Sequence, residues 1–161
     1  MSAISVVMGS KSDWPTVKEA CRILDQFGVD YDKHVISARR MPQEMFAFAQ
    51  GAVAAGTKVI IACAGGAAHL PGMIAANTPL PVIGIPGQTK ALGGMDSLLS
   101  IVQMPAGIPV ATTAIGVAGA KNAALLALQI LGITDQQIQQ QIVDYRQQMH
   151  DQAAESGAHL D

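Results

Sequence analysis

Aromatic side chains are nearly missing from this chain: Phe, Tyr and Trp make up 4% of 161 residues. Any core must therefore be built from Ala, Val, Ile, Leu and Met. Charge is also scarce, at 14% Asp, Glu, Lys and Arg in a chain that is half hydrophobic. So lean a polar surface points to burial of part of it in an oligomer. No basic excess exists either. A net charge of −2 removes the electrostatic footprint of a nucleic-acid binder. No apolar run reaches the ~18 residues that a membrane span needs. The N-terminus runs straight into a strand pattern, so no signal peptide is expected. The two cysteines, Cys21 and Cys63, both sit in apolar patterns. They read as buried thiols of a reducing compartment and exclude a disulfide framework. These absences point to a cytoplasmic protein forming one domain over residues 1–161.

What the chain does have is a regular alternation. Apolar strand patterns occupy residues 4–8, 31–36, 59–63, 81–85 and 110–115. Helical patterns follow each of them: from about Asp13, then residues 42–55, 67–77, 96–103 and 118–131. Asp13 suits an N-cap with Pro15 in the permitted first turn, while Gly56 and Gly132 suit helix stops. The alternation predicts an α/β fold, a parallel sheet of about five strands with helices on both faces. Residues 134–152 add a C-terminal helix. The pattern Thr134-x-x-Gln137 reads as its capping box. Its apolar stripe is narrow: Ile138, Ile142, Val143 and Tyr145. Such a helix either packs on a neighbouring subunit or lies in solvent, and residues 154–161 are expected to fray.

The chemistry-bearing residues fall in loops after the strands, where open α/β sheets bind ligands. The first loop, Gly9-Ser-Lys-Ser-Asp13, leads into a helix N-terminus and favours an anion. It lacks the spacing of a Walker loop and the glycines of a dinucleotide fingerprint. Equally, Asp13 could simply cap its helix while Ser10 and Ser12 make turn bonds. The second loop sets Arg39 and Arg40 in tandem beside Ser37, an arrangement suited to bidentate anion recognition. The third carries the Gly65-Gly66 pair, which lets backbone approach a ligand, and then His69. A buried, satisfied histidine is the plain alternative for His69. The fourth, residues 84–94, is long and glycine-rich, as lids often are. The fifth, residues 100–109, holds Pro105 and Pro109 and reads as a stiff wall.

Four segments together resemble a known family. They are Val7-Met-Gly-Ser-Lys-Ser-Asp-Trp14, Ser37-Ala-x-Arg-x-Pro42, Ala64-Gly-Gly-Ala-Ala-His-Leu-Pro-Gly-Met73 and Asp96-Ser-Leu-x-Ser-Ile-Val-Gln-Met-Pro105. This set is similar to N5-carboxyaminoimidazole ribonucleotide mutase of the class I type, also described as a catalytic subunit of phosphoribosylaminoimidazole carboxylase. The resemblance runs in order over residues 3–150. It implies a three-layer flavodoxin-like fold, a homo-octamer with active sites at subunit junctions, and a reaction of purine biosynthesis without metal or organic cofactor. A carboxyl group moves from N5 to ring carbon C4 of an aminoimidazole ribonucleotide, through CO2 held in the site. By position, Ser10, Asp13, Ser37 and Arg40 would hold the ribose and phosphate. Ala64, Gly65, Gly66 and His69 would line the pocket for the imidazole and its carboxylate. Residues 88–92, from Gln88 to Leu92, would help close it.

One position departs from the family at the point of chemistry. The family reads Ser-Ala-His-Arg-Thr-Pro, and its histidine is the general acid/base; here Arg39 stands there, with Met41 at the threonine. Arginine does not exchange protons near neutral pH. The departure leaves three readings: a mutase with its proton route through water or His69, an impaired paralogue that binds the ribonucleotide or CO2, or a site repurposed with Arg39 gripping a carboxylate. A non-enzymatic nucleotide-binding module of the same fold is the rival class.

Overall fold

The computed structural model describes residues 2–160. The strands are β1 (Ile4–Met8), β2 (Tyr31–Val35), β3 (Val59–Ala64), β4 (Val82–Pro86) and β5 (Ala111–Thr112). The helices are α1 (Trp14–Gln26), α2 (Pro42–Gly51), α3 (His69–Ala75), α4 (Met95–Val102), α5 (Val117–Gly132) and α6 (Gln136–Gly157). A 3-10 turn, Lys11–Asp13, precedes α1. The sheet is parallel throughout, in the order β2-β1-β3-β4-β5. This is the expected flavodoxin-like arrangement, and its strand order reverses between β1 and β3.

Period-two alternation assigns each side chain to a layer. Ile4, Val6 and Met8 of β1, Val59, Ile61 and Cys63 of β3, and Ile83 and Ile85 of β4 join the core under α1 and α5. Val7, Ile60, Ala62, Ala64 and Val82 join the opposite core with α2 and α3 and with Ile101 of α4. Central strands with two buried faces are apolar at nearly every position; the exception, Ser5 of β1, is fully buried with its hydroxyl bonded to that of Thr57 at 3.2 Å. With few aromatics, small residues set the spacing of the layers. A Cβ on Gly84 would lie 2.5 Å from Cγ2 of Ile101, so glycine lets α4 sit directly on β4.

Several boundaries differ from the sequence reading. α2 ends at Gly51 rather than residue 55, and turns carry the chain to Gly56, which adopts φ 91°. β5 is two residues long, not six. α5 ends at Gly132, as expected, but this glycine is the buried last residue of the helix, where a Cβ would lie 3.4 Å from the Gln139 backbone nitrogen. The capping box at Thr134 does not form. Asp135 caps α6, its carboxylate accepting the N–H groups of Gln137 and Ile138 at 3.0 and 3.1 Å, while the Thr134 hydroxyl donates to Leu131 O. A carboxylate one residue nearer the helix wins that contest. α6 also continues to Gly157, through residues expected to fray.

The first half of α6 docks on its own chain. Ile138 and Ile142 enter the α1/α5 core, the Tyr145 ring packs at a tilt against Phe27 with centroids 5.6 Å apart, and Gln141 donates to Phe27 O. Val143 points to solvent instead of joining the stripe, and the helix beyond Tyr145 is exposed. Both cysteines are free and buried. No helix among the described residues is long and apolar enough to cross a membrane.

Candidate functional site

The carboxyl ends of β1 and β3 diverge at the switch point, and a cleft of about 510 Å³ opens there. It is lined by Ser10, Asp13, Ser37, Arg39, Arg40, Ala64, Gly65, His69 and Gln88, with Gly9, Ser12, Ala38, Ala67, Ala68 and Leu70 between them. Four sequence-distant loop and strand-end segments therefore converge on one space. Of the eleven residues singled out from the sequence, only Gly66 and Leu92 stand outside its wall.

The loop after β1 is held by its own side chains. Ser10 N–H donates to the Asp13 carboxylate at 3.0 Å, and Ser12 N–H and hydroxyl both donate to Ser10 Oγ, at 3.3 and 3.1 Å. Asp13 occupies the N-cap position of α1 but makes no cap bond to that helix; its carboxylate turns back to the loop. Gly9 N–H donates to Cys63 O, which ties this loop to the end of β3. Burial pushes the Asp13 carboxyl above the ordinary Asp range, against the lowering effect of the Ser10 and Gly9 N–H bonds. Burial likewise pushes the Cys63 thiol far up, so it stays protonated beneath the site.

The two arginines behave differently. Arg40 is braced: its Nε donates to Ser37 Oγ at 3.2 Å and its Nη2 to Gly9 O at 3.5 Å. Ser37 is buried and also receives the Arg40 N–H. This bracing spans β1 and β2 and leaves the outer edge of the guanidinium for an anion. Arg39 makes no hydrogen bond or ion pair among the described residues, and its side chain is exposed on the cleft wall. Two permanent cations, one braced and one free, thus line the cleft with one carboxyl group, Asp13, so the cleft favours an anion.

The glycine pair after β3 divides its duties. Gly65 faces the cleft. Gly66 lies under α4, its N–H donating to Ser97 Oγ at 3.0 Å and its C=O accepting from Ser100. Ser97 is fully buried by this contact. It was not among the sequence candidates, because a serine in a helix ordinarily reads as a surface residue. Ala68 was missed for a similar reason. It has φ 26°, the one positive φ at a non-glycine among the described residues, and alanine gives no sign of such a backbone. The turn it makes delivers His69, exposed at the start of α3, to the cleft.

The loop from 87 to 94 is closed at its base rather than open. Thr89 Oγ1 donates to Asp96 at 2.7 Å and accepts the Gly94 N–H at 2.9 Å. Gln88 reaches the cleft, whereas Leu92 lies 63% exposed away from it. The fifth loop, expected as a wall, contributes nothing to the lining. Among the described residues, no group of three or more His, Cys, Asp or Glu is placed to hold a metal ion.

A doubly wound sheet of this order, with an anion-attracting cleft at its switch point, defines a ligand-binding protein of the flavodoxin-like α/β class. Comparison with known proteins narrows this: the AIR carboxylase family model matches residues 3–152, and the chain belongs to that family. It is similar to the N5-carboxyaminoimidazole ribonucleotide mutase of Bacillus subtilis, 57% identical over 157 residues, 98% of this chain and 97% of that protein. The mutase of Vibrio parahaemolyticus is 60% identical over 143 residues, 89% of each chain. A crystal structure of Treponema denticola PurE superposes with a TM-score of 0.89 at 26% identity, covering 98% of both chains.

Proposed function

We propose that the switch-point cleft catalyses the N5-carboxyaminoimidazole ribonucleotide mutase reaction, an isomerisation in purine biosynthesis. The observation that carries this reading is the convergence of Ser10, Asp13, Ser37, Arg40, Gly65 and His69 on one cleft. The substrate carries a phosphate, and one guanidinium group is already oriented for it. Arg40 takes the phosphate, because Ser37 and Gly9 already hold its orientation and a pre-set fork loses little freedom on binding. Ser10 and the loop after β1 surround the ribose phosphate. The small wall of Ala64 and Gly65 leaves room for the flat imidazole. The N5–carboxyl bond breaks there, CO2 is held in the confined space, and C4 recaptures it. With Arg39 in the acid/base position, binding is better preserved than turnover.

Removing Arg40 tests the phosphate role. Loss of a charge-assisted contact costs ~1.5–3 kcal/mol, or roughly ten- to a hundredfold in affinity. Arg40→Ala should weaken binding of the ribonucleotide by that factor and leave binding of the bare aminoimidazole nearly unchanged. Titration calorimetry giving equal losses for both ligands would remove the phosphate assignment.

The same reading includes a homo-octamer in the cytoplasm. An exposed apolar stripe supports assembly: Met95, Leu99 and Val102 on α4, at 51%, 49% and 47% exposure, share one helix face. Light scattering at micromolar concentration should give a mass near eight times 16.7 kDa. A monomer mass would contradict it.

A further inference from the structure

We propose that His69 carries the proton in this chain, in place of the histidine that Arg39 displaces. The inference rests on the mutase reading above. The charged and titratable side chains on the cleft wall are Asp13, Arg39, Arg40 and His69. Both guanidinium groups are permanent cations and cannot return a proton. Asp13 is engaged at the base of its loop by the Ser10 N–H. Cys63 lies buried under the site and does not reach the wall. The helices packed on α3 are α2 and α4. They bring Glu44, which is exposed on α2, and Asp96, whose carboxylate is occupied by Thr89.

Among those on the wall, His69 alone is of a proton-exchanging type and unengaged. Histidine is the side-chain type that ordinarily changes charge between pH 5 and 8. This one makes no hydrogen bond or ion pair among the described residues, and its side chain is open to the cleft. The backbone before it is strained, with Ala68 at φ 26°. Such strain persists only where the surrounding structure enforces it, and it gathers at functional sites.

The proton balance closes on one imidazole. Imidazolium donates its proton to N5 as the bond from N5 to the carboxyl carbon breaks and the electron pair stays on nitrogen. C4 then forms its bond to CO2, and neutral imidazole removes the proton from C4, whose electron pair restores the ring. No proton is consumed overall, and no oxidant or reductant is needed.

The test is kcat against pH from 5 to 9 on N5-carboxyaminoimidazole ribonucleotide, for wild type, His69→Asn, Arg39→His and the double variant. In the wild-type background, His69→Asn should lower kcat by ~10²-fold or more and abolish the pH dependence between 5 and 8. KM should change by only a few fold. In the Arg39→His background the same substitution should cost under about tenfold, because the new imidazole offers another route. His69→Gln provides a second version should the asparagine variant melt early. Equal losses in both backgrounds, or an unchanged wild-type pH profile, would show a binding role and overturn the proposal. So would a silent wild type beside an active Arg39→His protein, which leaves the mutase reading standing. Silence of both proteins would defeat that reading as well.

Discussion

Arg39→His is expected to raise turnover of N5-carboxyaminoimidazole ribonucleotide at least about tenfold. A placed proton-transfer group contributes ~10²–10⁴-fold in total, and His69 is expected to supply part of that already. The geometry needed for a gain is present. Position 39 lies on the cleft wall, and its side chain has no bond among the described residues that a shorter imidazole would forfeit. Arg39→Ala should leave the low wild-type turnover nearly unchanged. The opposite pattern, with Arg39→Ala inactive and Arg39→His no better than wild type, would mean that Arg39 grips a carboxylate. Steady-state rates of the three proteins on one substrate preparation decide between them.

The largest loss of stability is expected at Gly119. It lies in the first turns of α5, buried, where the helix crosses the chain leaving β5. A Cβ there would overlap the carbonyl of Ala114, a backbone group that has no rotamer into which to retreat. Overpacking ordinarily costs ~1–3 kcal/mol, and a clash with backbone belongs at or above the top of that range. Gly119→Ala should lower Tm by roughly 6–12 °C, taking ~2–4 °C per kcal/mol for a chain of this size. Gly51→Ala makes the control, since nothing lies within 4 Å of its added Cβ. A scanning-calorimetry shift at Gly119→Ala no larger than at Gly51→Ala would contradict the packing described.

The parts of this molecule that could be read from the sequence are those with a chemical or periodic signature. Runs such as residues 59–63 are apolar at every position because both sheet faces are covered. Arg39 and Arg40 announced themselves as the wrong residues for a core and the right ones for an anion, and Gly65 as a place where backbone can approach a ligand. What escaped was set by geometry between distant segments. Ala68 holds a left-handed turn without glycine. Ser97 is buried because Gly66 needs an acceptor for its N–H. Gly132 ends α5 as its type suggests, but nothing in the sequence showed that it also lies against α6. The cap of α6 moved by one residue, from Thr134 to Asp135, because both residue types qualify and only register separates them. Leu92, assigned to closure of the pocket, lies at the exposed end of a loop that Thr89 and Asp96 fasten at its base. Bonds between side chains seven residues apart leave no periodic trace.

Whether the switch-point cleft is a mutase site can be read by ultraviolet absorbance. N5-carboxyaminoimidazole ribonucleotide is mixed with wild type, with Arg39→His and with Arg39→His/Arg40→Ala, and formation of the C4-carboxylated product is followed. Wild type should convert the ribonucleotide slowly, Arg39→His faster, and removal of Arg40 should raise KM. Saturable binding of the ribonucleotide with no conversion by any of the three would contradict the mutase reading, and would leave a nucleotide-binding module in place of an enzyme.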